Sequence, residues 1–152
     1  IKKAGEGHVI NTSSLFGLLA LPTQGTYNAS KFAVRGFTEA LRQELDLDNC
    51  GVSATCVHPG GIRTNIARDA KMDGSITAKT GGSAQAAKEK FDKLLNTTTA
   101  ESAARQILRA VECNKRRVLV GPDAKFLDLV VRLFGSWYQP MTTFFAKKSM
   151  MG

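Results

Sequence analysis

The sequence contains no long uninterrupted apolar run. None of its stretches reaches the roughly 18 uncharged apolar residues of a membrane-spanning helix, and the most apolar late segment, residues 126–138, is interrupted by Asp128 and Arg132. The first residues carry no hydrophobic signal core and do not begin with Met. We therefore expect a cytoplasmic protein and a chain that is entered part-way through a longer one.

Cysteine is scarce, and acidic residues are outnumbered. Cys50, Cys56 and Cys113 form no C-x-x-C pair, so we expect reduced, buried thiols and no metal site. The 21 Lys and Arg against 13 Asp and Glu give a formal net charge of +8, and residues 101–152 supply +5 of it through nine basic and four acidic residues. Because no nucleic-acid-binding motif accompanies this charge, we interpret it as a solvated surface and expect no nucleic-acid partner.

Apolar runs alternate with amphipathic stretches along the 152 residues, which predicts an α/β fold. Strands are predicted over residues 8–11, 52–57 and 118–120. Helices are predicted over residues 24–47, 99–114 and 125–135. Strands as apolar as these suit a parallel sheet that is covered on both faces.

The first predicted helix carries an apolar face. Its members recur at intervals of four residues, and they are Ala33, Phe37, Leu41 and Leu45. We expect this face to pack against the core.

Residues 63–99 differ from the rest because they are polar and only weakly periodic, although residues 83–95 are compatible with a helix. Within them, residues 65–99 are predicted to form a lid over a substrate. A sheet of three strands has an open edge of unpaired backbone groups. We therefore interpret residues 1–152 as a single partial domain, the C-terminal part of a doubly wound parallel sheet.

Three side chains carry the candidate chemistry. Tyr27 and Lys31 are four residues apart in a helical pattern, so they leave the same face one turn apart. An ammonium beside a phenol favours the phenolate, which suits the phenol to general acid/base catalysis. Ser14 ends the first strand thirteen residues before Tyr27 and is placed to orient the same substrate oxygen.

These residues occur in three linked segments whose order resembles that of the short-chain dehydrogenase/reductase family. The segments are Val-Ile-Asn-Thr-Ser-Ser-Leu-Phe-Gly at 9–17, Tyr-Asn-Ala-Ser-Lys at 27–31 and Val-His-Pro-Gly-Gly-Ile-Arg-Thr at 57–64. The resemblance is firm over residues 7–64 and extends by layout to residues 100–121. It implies a Rossmann-like fold and an NAD(P)-dependent oxidoreductase that interconverts an alcohol and a carbonyl on CH–OH donors.

The resemblance also implies a role for each residue. Ser14 would hydrogen-bond the substrate oxygen, Tyr27 would be the general acid/base, and Lys31 would hold the ribose of the nicotinamide and help relay the proton. The residues expected to contact the cofactor, NAD or NADP, are Tyr27, Lys31, Pro59, Gly60, Ile62 and Thr64. The choice between NAD and NADP stays open, because the Gly-rich fingerprint of the family is absent: Gly5-x-Gly7 is not followed by a third glycine.

Two other function classes were weighed. The first is a non-catalytic remnant that serves as an interaction module, since in the family the helix with Tyr27 and Lys31 often packs against its copy; for the full-length protein we expect a homodimer or homotetramer. The second is a serine hydrolase built on Ser14, which no G-x-S-x-G motif supports. His8 and His58 have no obvious acidic partner and are interpreted as structural.

The last residues, rich in aromatic and basic side chains, have three possible uses. They can cover the core, border an apolar substrate pocket, or rest on a membrane surface. We favour packing within the core and between subunits. The apolar tail, together with a lid free of acidic clusters, points to a lipophilic alcohol or ketone as the small-molecule substrate.

Overall fold

The fold is built from five strands and four α-helices in the part of the chain that this computed structural model describes, residues 2–64 and 97–151. The strands are β1 (Gly7–Thr12), β2 (Val52–Pro59), β3 (Ile62–Arg63), β4 (Thr98–Thr99) and β5 (Arg117–Val120). The helices are α1 (Gly25–Asp48), α2 (Ala100–Glu112), α3 (Pro122–Phe134) and α4 (Tyr138–Met151). Most of the predicted lid, residues 65–96, and the helix considered within it lie outside the described residues.

A three-stranded parallel sheet in the order β1-β2-β5 forms the centre of the fold. Thr12 lies opposite Val57, and Pro59 lies opposite Val120, so the carboxyl ends of all three strands meet at one edge. As the central strand, β2 is buried on both sides, and its Ala54, Cys56 and Val57 have no exposed surface. The predicted parallel α/β sheet is confirmed, and each strand is longer by one to two residues than its apolar core suggested.

A second, two-stranded parallel sheet pairs β3 with β4, with Ile62 opposite Thr98. Thr98 and Thr99, which we placed at the end of the lid, therefore belong to a strand. Thr99 also begins α2, because its hydroxyl accepts a hydrogen bond from the backbone N–H of Ser102 at 3.2 Å. Such a cap satisfies one of the free donors at the start of a helix.

The buried face of helix α1 agrees with the predicted one at Leu41 and Leu45 but not at its other two members. Ala33 and Phe37 are exposed, with 64% of Phe37 accessible to solvent, whereas Thr38, Arg42 and Leu45 are buried. Spacings of four and three residues keep these three on one side of a helix just as an all-apolar set would. The prediction is therefore wrong for Ala33 and Phe37, because it counted apolar residues only.

The buried polar side chains of α1 are satisfied by hydrogen bonds. The Thr38 hydroxyl donates to the carbonyl of Val34 at 2.6 Å and accepts from the Asn11 amide at 3.0 Å. The Arg42 guanidinium donates to the carbonyl of Ala54 at 3.1 Å and to the side chain of Asn114 at 2.9 Å. Burial of a polar group is tolerated when it is paired in this way.

The C-terminal third is more helical than predicted. Helix α3 begins at Pro122, three residues before the predicted start, and proline suits the first turn because that position needs no N–H donor. The segment after Gly135, for which no helix was predicted, forms α4. No helix within residues 2–64 or 97–151 is both long enough and apolar enough to cross a membrane.

The apolar residues of this third divide between core and surface. Leu127, Val131 and Tyr138 pack against the buried cluster of Leu15, Leu18, Leu19 and Ala124. Seven other large apolar side chains on this surface are each more than half exposed, and they are Phe126, Leu129, Leu133, Phe134, Trp137, Phe144 and Phe145. Core packing, which we favoured, therefore accounts for only part of the set.

The three cysteines are free thiols in unequal environments. Cys56 is buried and Cys50 is half-buried, but Cys113 is exposed, which corrects the expectation of three buried thiols. Burial raises the pKa of the Cys56 thiol to about 11. The thiolate is the reactive form of cysteine, so Cys56 is protected both by its position and by its protonation.

We therefore expect a thiol reagent at pH 8 to modify Cys113 rapidly in the folded protein and Cys56 only after unfolding. Peptide mapping by mass spectrometry after timed labelling measures both rates. A Cys113→Ser variant serves as the control and should lose the rapid phase. Rapid labelling of Cys56 in the folded protein would contradict the burial described above.

Candidate functional site

The candidate site lies along the edge of the sheet where the three parallel strands end. Ser13 and Ser14 follow β1, Gly60 and Gly61 follow β2, and Gly121 follows β5. In open parallel α/β sheets, ligands bind in the crevice outside this carboxyl edge. The register thus gathers segments that are far apart in the sequence.

Ser14 is held at the start of a short 3₁₀ turn, Leu15–Gly17. The backbone N–H of Ser13 donates to the carbonyl of Val57 at 2.8 Å, which extends the pairing between β1 and β2 by one residue. The Ser14 hydroxyl accepts a hydrogen bond from the N–H of Phe16 at 3.1 Å and is half-buried. This bond leaves the hydroxyl proton of Ser14 free to donate.

The neighbouring Ser13 has a packing role. It is 3% exposed, and its hydroxyl donates to the carbonyl of Lys31 at 2.7 Å. A Cβ at Gly17 would collide with this hydroxyl and with the Lys31 carbonyl. Gly17 and Ser13 thereby let the turn after β1 lie directly against α1.

Tyr27 and Lys31 lie near the start of α1, beside the short 3₁₀ segment Leu15–Gly17. The Lys31 ammonium is 5.5 Å from the centroid of the Tyr27 ring and 3.4 Å from the carbonyl oxygen of Thr12. The Phe16 ring meets the Tyr27 ring edge-on, with centroids 6.0 Å apart. The turn that carries Ser14 and the helix that carries Tyr27 and Lys31 are therefore side by side, and 41% of Tyr27 remains exposed.

The turn after β2 carries the residues expected to contact a cofactor. The N–H of Gly60 donates to the carbonyl of Val120 at 2.9 Å, which ties the turn to the end of β5. Ile62 packs beside the buried cluster of Val57, Ala103 and Val120. Pro59 and Gly60 lie at the carboxyl edge, and Thr64 is exposed next to the end of the described segment.

Asp123, in the first turn of α3, holds the same turn and was missed by the sequence analysis. Its carboxylate accepts a hydrogen bond from the N–H of Gly61 at 2.6 Å. A Cβ at Gly60 would occupy the place of this carboxylate. The only sequence signal was an acidic residue after Gly-Pro at a helix start, a position that the helix dipole favours for stability alone.

His58 is fully buried just before the turn. Its ring Nδ1 lies 2.9 Å from the carbonyl oxygen of Ser14. Burial is the main cause that lowers the pKa of His58, so the ring is neutral near pH 7. His8, by contrast, bonds to the hydroxyl of Thr55 at 2.7 Å at the opposite end of β1.

Comparisons with known proteins identify a family to which this chain is similar. A family model described as short chain dehydrogenase matches residues 1–74. The Mycobacterium tuberculosis protein named "Putative oxidoreductase SadH" is 49% identical over 136 residues, which are 90% of this chain and 47% of that protein. The Bacillus subtilis protein named "Uncharacterized oxidoreductase YxnA" is 33% identical over 130 residues, 84% of this chain and 33% of that protein. The chain thus spans less than half the length of these two relatives.

Solved structures resemble the fold. A short chain dehydrogenase/reductase from Burkholderia phymatum in complex with NAD aligns with a TM-score of 0.72 at 23% identity, over 91% of this chain and 52% of that one. A short chain dehydrogenase from Burkholderia cenocepacia in complex with NADP aligns with a TM-score of 0.62 at 24% identity, over 86% and 44% of the two chains. The predicted Rossmann-like parallel sheet is confirmed by this likeness.

We expect Asp123→Ala to lower the free energy of unfolding by about 1–3 kcal/mol, because the partly buried N–H of Gly61 loses its acceptor. Gly60→Ala should have a similar effect, since its methyl group displaces the same carboxylate. The double variant should then lose less than the sum of the two. Denaturant titration at equal m-value measures all three changes.

The matched control is Asp123→Asn, which keeps an oxygen acceptor toward Gly61 and should lose less stability than Asp123→Ala. Equal stability of Asp123→Ala and the wild type, or full additivity with Gly60→Ala, would show that the carboxylate does not hold the turn.

Proposed function

The chain belongs to the short-chain dehydrogenase/reductase family, and from this premise we propose that it is the catalytic part of an NAD(P)-dependent oxidoreductase that interconverts an alcohol and a carbonyl. One observation carries the proposal. The Ser14 turn lies against the helix turns of Tyr27 and Lys31 at the carboxyl edge of the sheet, joined by the Ser13–Lys31 hydrogen bond and the Phe16–Tyr27 ring contact. The catalytic and cofactor roles below are those that membership of the family implies for the matching residues.

Each of the three side chains has a distinct task in the proposed reaction. The exposed Tyr27 hydroxyl donates a proton to a carbonyl oxygen in reduction and takes it back from an alcohol in oxidation. The Lys31 ammonium, 5.5 Å from the centroid of the Tyr27 ring, helps to relay the proton, a role that membership of the family implies for this residue. The free proton of the Ser14 hydroxyl hydrogen-bonds the substrate oxygen and orients it toward Tyr27.

The residues at the sheet edge fit the nicotinamide end of NAD or NADP. Lys31 offers ammonium protons to the ribose hydroxyls, and Pro59 with Gly60 presents a turn without a bulky side chain. Ile62 and Thr64 supply backbone groups and a hydroxyl for the carboxamide. When bound, the nicotinamide supplies the hydride in one direction and accepts it in the other.

A small alcohol or ketone of lipophilic character is the proposed substrate class. Exposed apolar side chains on α3 and α4, such as Phe126, Leu129 and Leu133, support it because they offer surface suited to an apolar molecule. The proposed setting for this reaction is the cytoplasm.

The decisive experiment begins with the native protein that contains this sequence, at the length its source produces, established by intact mass and N-terminal sequencing. A panel of carbonyls and alcohols with NAD(H) and NADP(H) then tests for turnover. We expect activity with one of the two cofactors, and Tyr27→Phe should lower kcat by about 10²- to 10⁴-fold through loss of the proton donor.

The matched control is Tyr138→Phe, because Tyr138 is the other tyrosine of the chain and its hydroxyl only accepts a hydrogen bond from the N–H of Ala20. This variant should retain turnover. Undiminished kcat in Tyr27→Phe would remove Tyr27 from the mechanism. A protein that assembles but neither binds nucleotide nor turns over any substrate would favour the interaction module instead.

The proposed assembly is a homodimer or homotetramer in which α1 packs against its copy. Phe37 supports it, since 64% of this large apolar side chain is exposed, and with Ala33, Val34 and Asn11 it lines a shallow surface pocket. Phe37→Asp should shift the mass measured by light scattering toward the monomer, because a charge replaces buried apolar contact. Leu108→Asp, at a similarly exposed site on α2, is the control; an unchanged mass for Phe37→Asp excludes this interface.

A further inference from the structure

The carbonyl oxygen of Ser14 receives two hydrogen bonds of different origin. One comes from the N–H of Gly17, within the turn that Ser14 itself begins, at 3.0 Å. The other comes from the His58 side chain of the neighbouring strand, at 2.9 Å. A carbonyl oxygen can only accept, so the His58 Nδ1 must carry the proton of the neutral ring.

The contact with His58 lies beyond the last backbone bond between the two strands. The ladder from β1 to β2 ends where the N–H of Ser13 meets the carbonyl of Val57. One residue further along both segments, the His58 side chain takes over and reaches Ser14. The bonds that Ser14 makes to Phe16 and Gly17 are internal to its turn and do not fix it relative to β2.

Within the part of the chain that the structure describes, the His58 ring makes one polar contact, to the carbonyl oxygen of Ser14. It has no exposed surface, and its Nε2 has no hydrogen-bond partner among residues 2–64 and 97–151. A ring that served only to fill space would not need the nitrogen that faces Ser14. His58 is also directly followed by Pro59 and Gly60, the turn proposed to contact the cofactor.

We propose that His58 is a positioning residue for Ser14: its Nδ1–H holds the Ser14 backbone at a fixed distance from the turn after β2, and so orients the Ser14 hydroxyl toward the substrate oxygen. This inference rests on the proposed oxidoreductase function. Catalysis is sensitive to such placement, since a shift of about 1 Å in an orienting group costs roughly 10²-fold in rate.

Two substitutions separate the hydrogen bond from the volume of the ring. His58→Leu keeps a buried side chain of comparable bulk and removes the donor. His58→Asn keeps an N–H donor at the same number of bonds from the backbone as Nδ1. His8→Leu is the matched control, because His8 is the other histidine of the chain and bonds to Thr55 instead.

In the native full-length protein, His58→Leu should lower kcat about 10- to 100-fold and leave the KM for the cofactor nearly unchanged. His58→Asn should recover most of the lost kcat. Because His58 acts through Ser14, adding His58→Leu to Ser14→Ala should cause no further loss of kcat. Any one of four results would overturn the inference. These are an undiminished kcat in His58→Leu, no recovery in His58→Asn, an equal loss in His8→Leu, and a further full loss when His58→Leu is added to Ser14→Ala.

A measurement that needs no activity covers the case in which His58→Leu does not fold. Nitrogen-15 NMR of the histidine rings in the wild type should show His58 with its proton on Nδ1; a proton on Nε2 would overturn the inference. A wild type without turnover on the whole panel would overturn the proposed function, and the inference with it. An active wild type with an unaffected His58→Leu overturns the inference alone.

Discussion

The site depends on one constraint, the register of three parallel strands. With Thr12 opposite Val57 and Pro59 opposite Val120, the three strands end at the same edge of the sheet, and the turns with proposed catalytic and cofactor roles follow β1 and β2 there. The central β2 is buried on both sides, and a slip of one residue would take its buried polar side chains Thr55 and His58 away from their partners His8 and Ser14. Burial therefore fixes the register, and the register fixes which residues meet.

The orientation of helix α1 on this sheet determines where its side chains point. Its buried face carries Thr38 and Arg42, whose hydrogen bonds reach Asn11, Ala54 and Asn114. Hydrogen bonds depend on angle as well as distance, whereas apolar contact does not. These buried hydrogen bonds therefore set the rotation of α1 about its axis, and with it the direction of the proposed catalytic pair, Tyr27 and Lys31, at the N-terminal end of the same helix.

The sequence predicted the features that depend on local spacing and missed those that depend on distant partners. The four-residue interval between Tyr27 and Lys31 and the apolar strands needed no knowledge of the fold. The bonds of Asp123 to Gly61 and of His58 to Ser14 join residues 62 and 44 positions apart, and the order of residues gives no sign of them. The face of α1 was predicted correctly at Leu41 and Leu45 and wrongly at Ala33 and Phe37, because a satisfied polar residue can be buried, while hydrophobic periodicity counts it as exposed.

Three long-range contacts of the described residues hold the proposed catalytic geometry, in a chain that spans 47% of the length of its Mycobacterium tuberculosis relative. The turn after β1 is tied to α1 by Ser13 and to β2 by His58, and the turn after β2 is tied to α3 by Asp123. The Gly-rich fingerprint, by contrast, is not in this sequence. Lys31 belongs to both proposed roles, because its ammonium is proposed to hold the ribose while its backbone carbonyl accepts the hydrogen bond of Ser13 that ties the turn after β1 to α1. Cofactor contact and placement of the reacting groups are therefore coupled through this one residue.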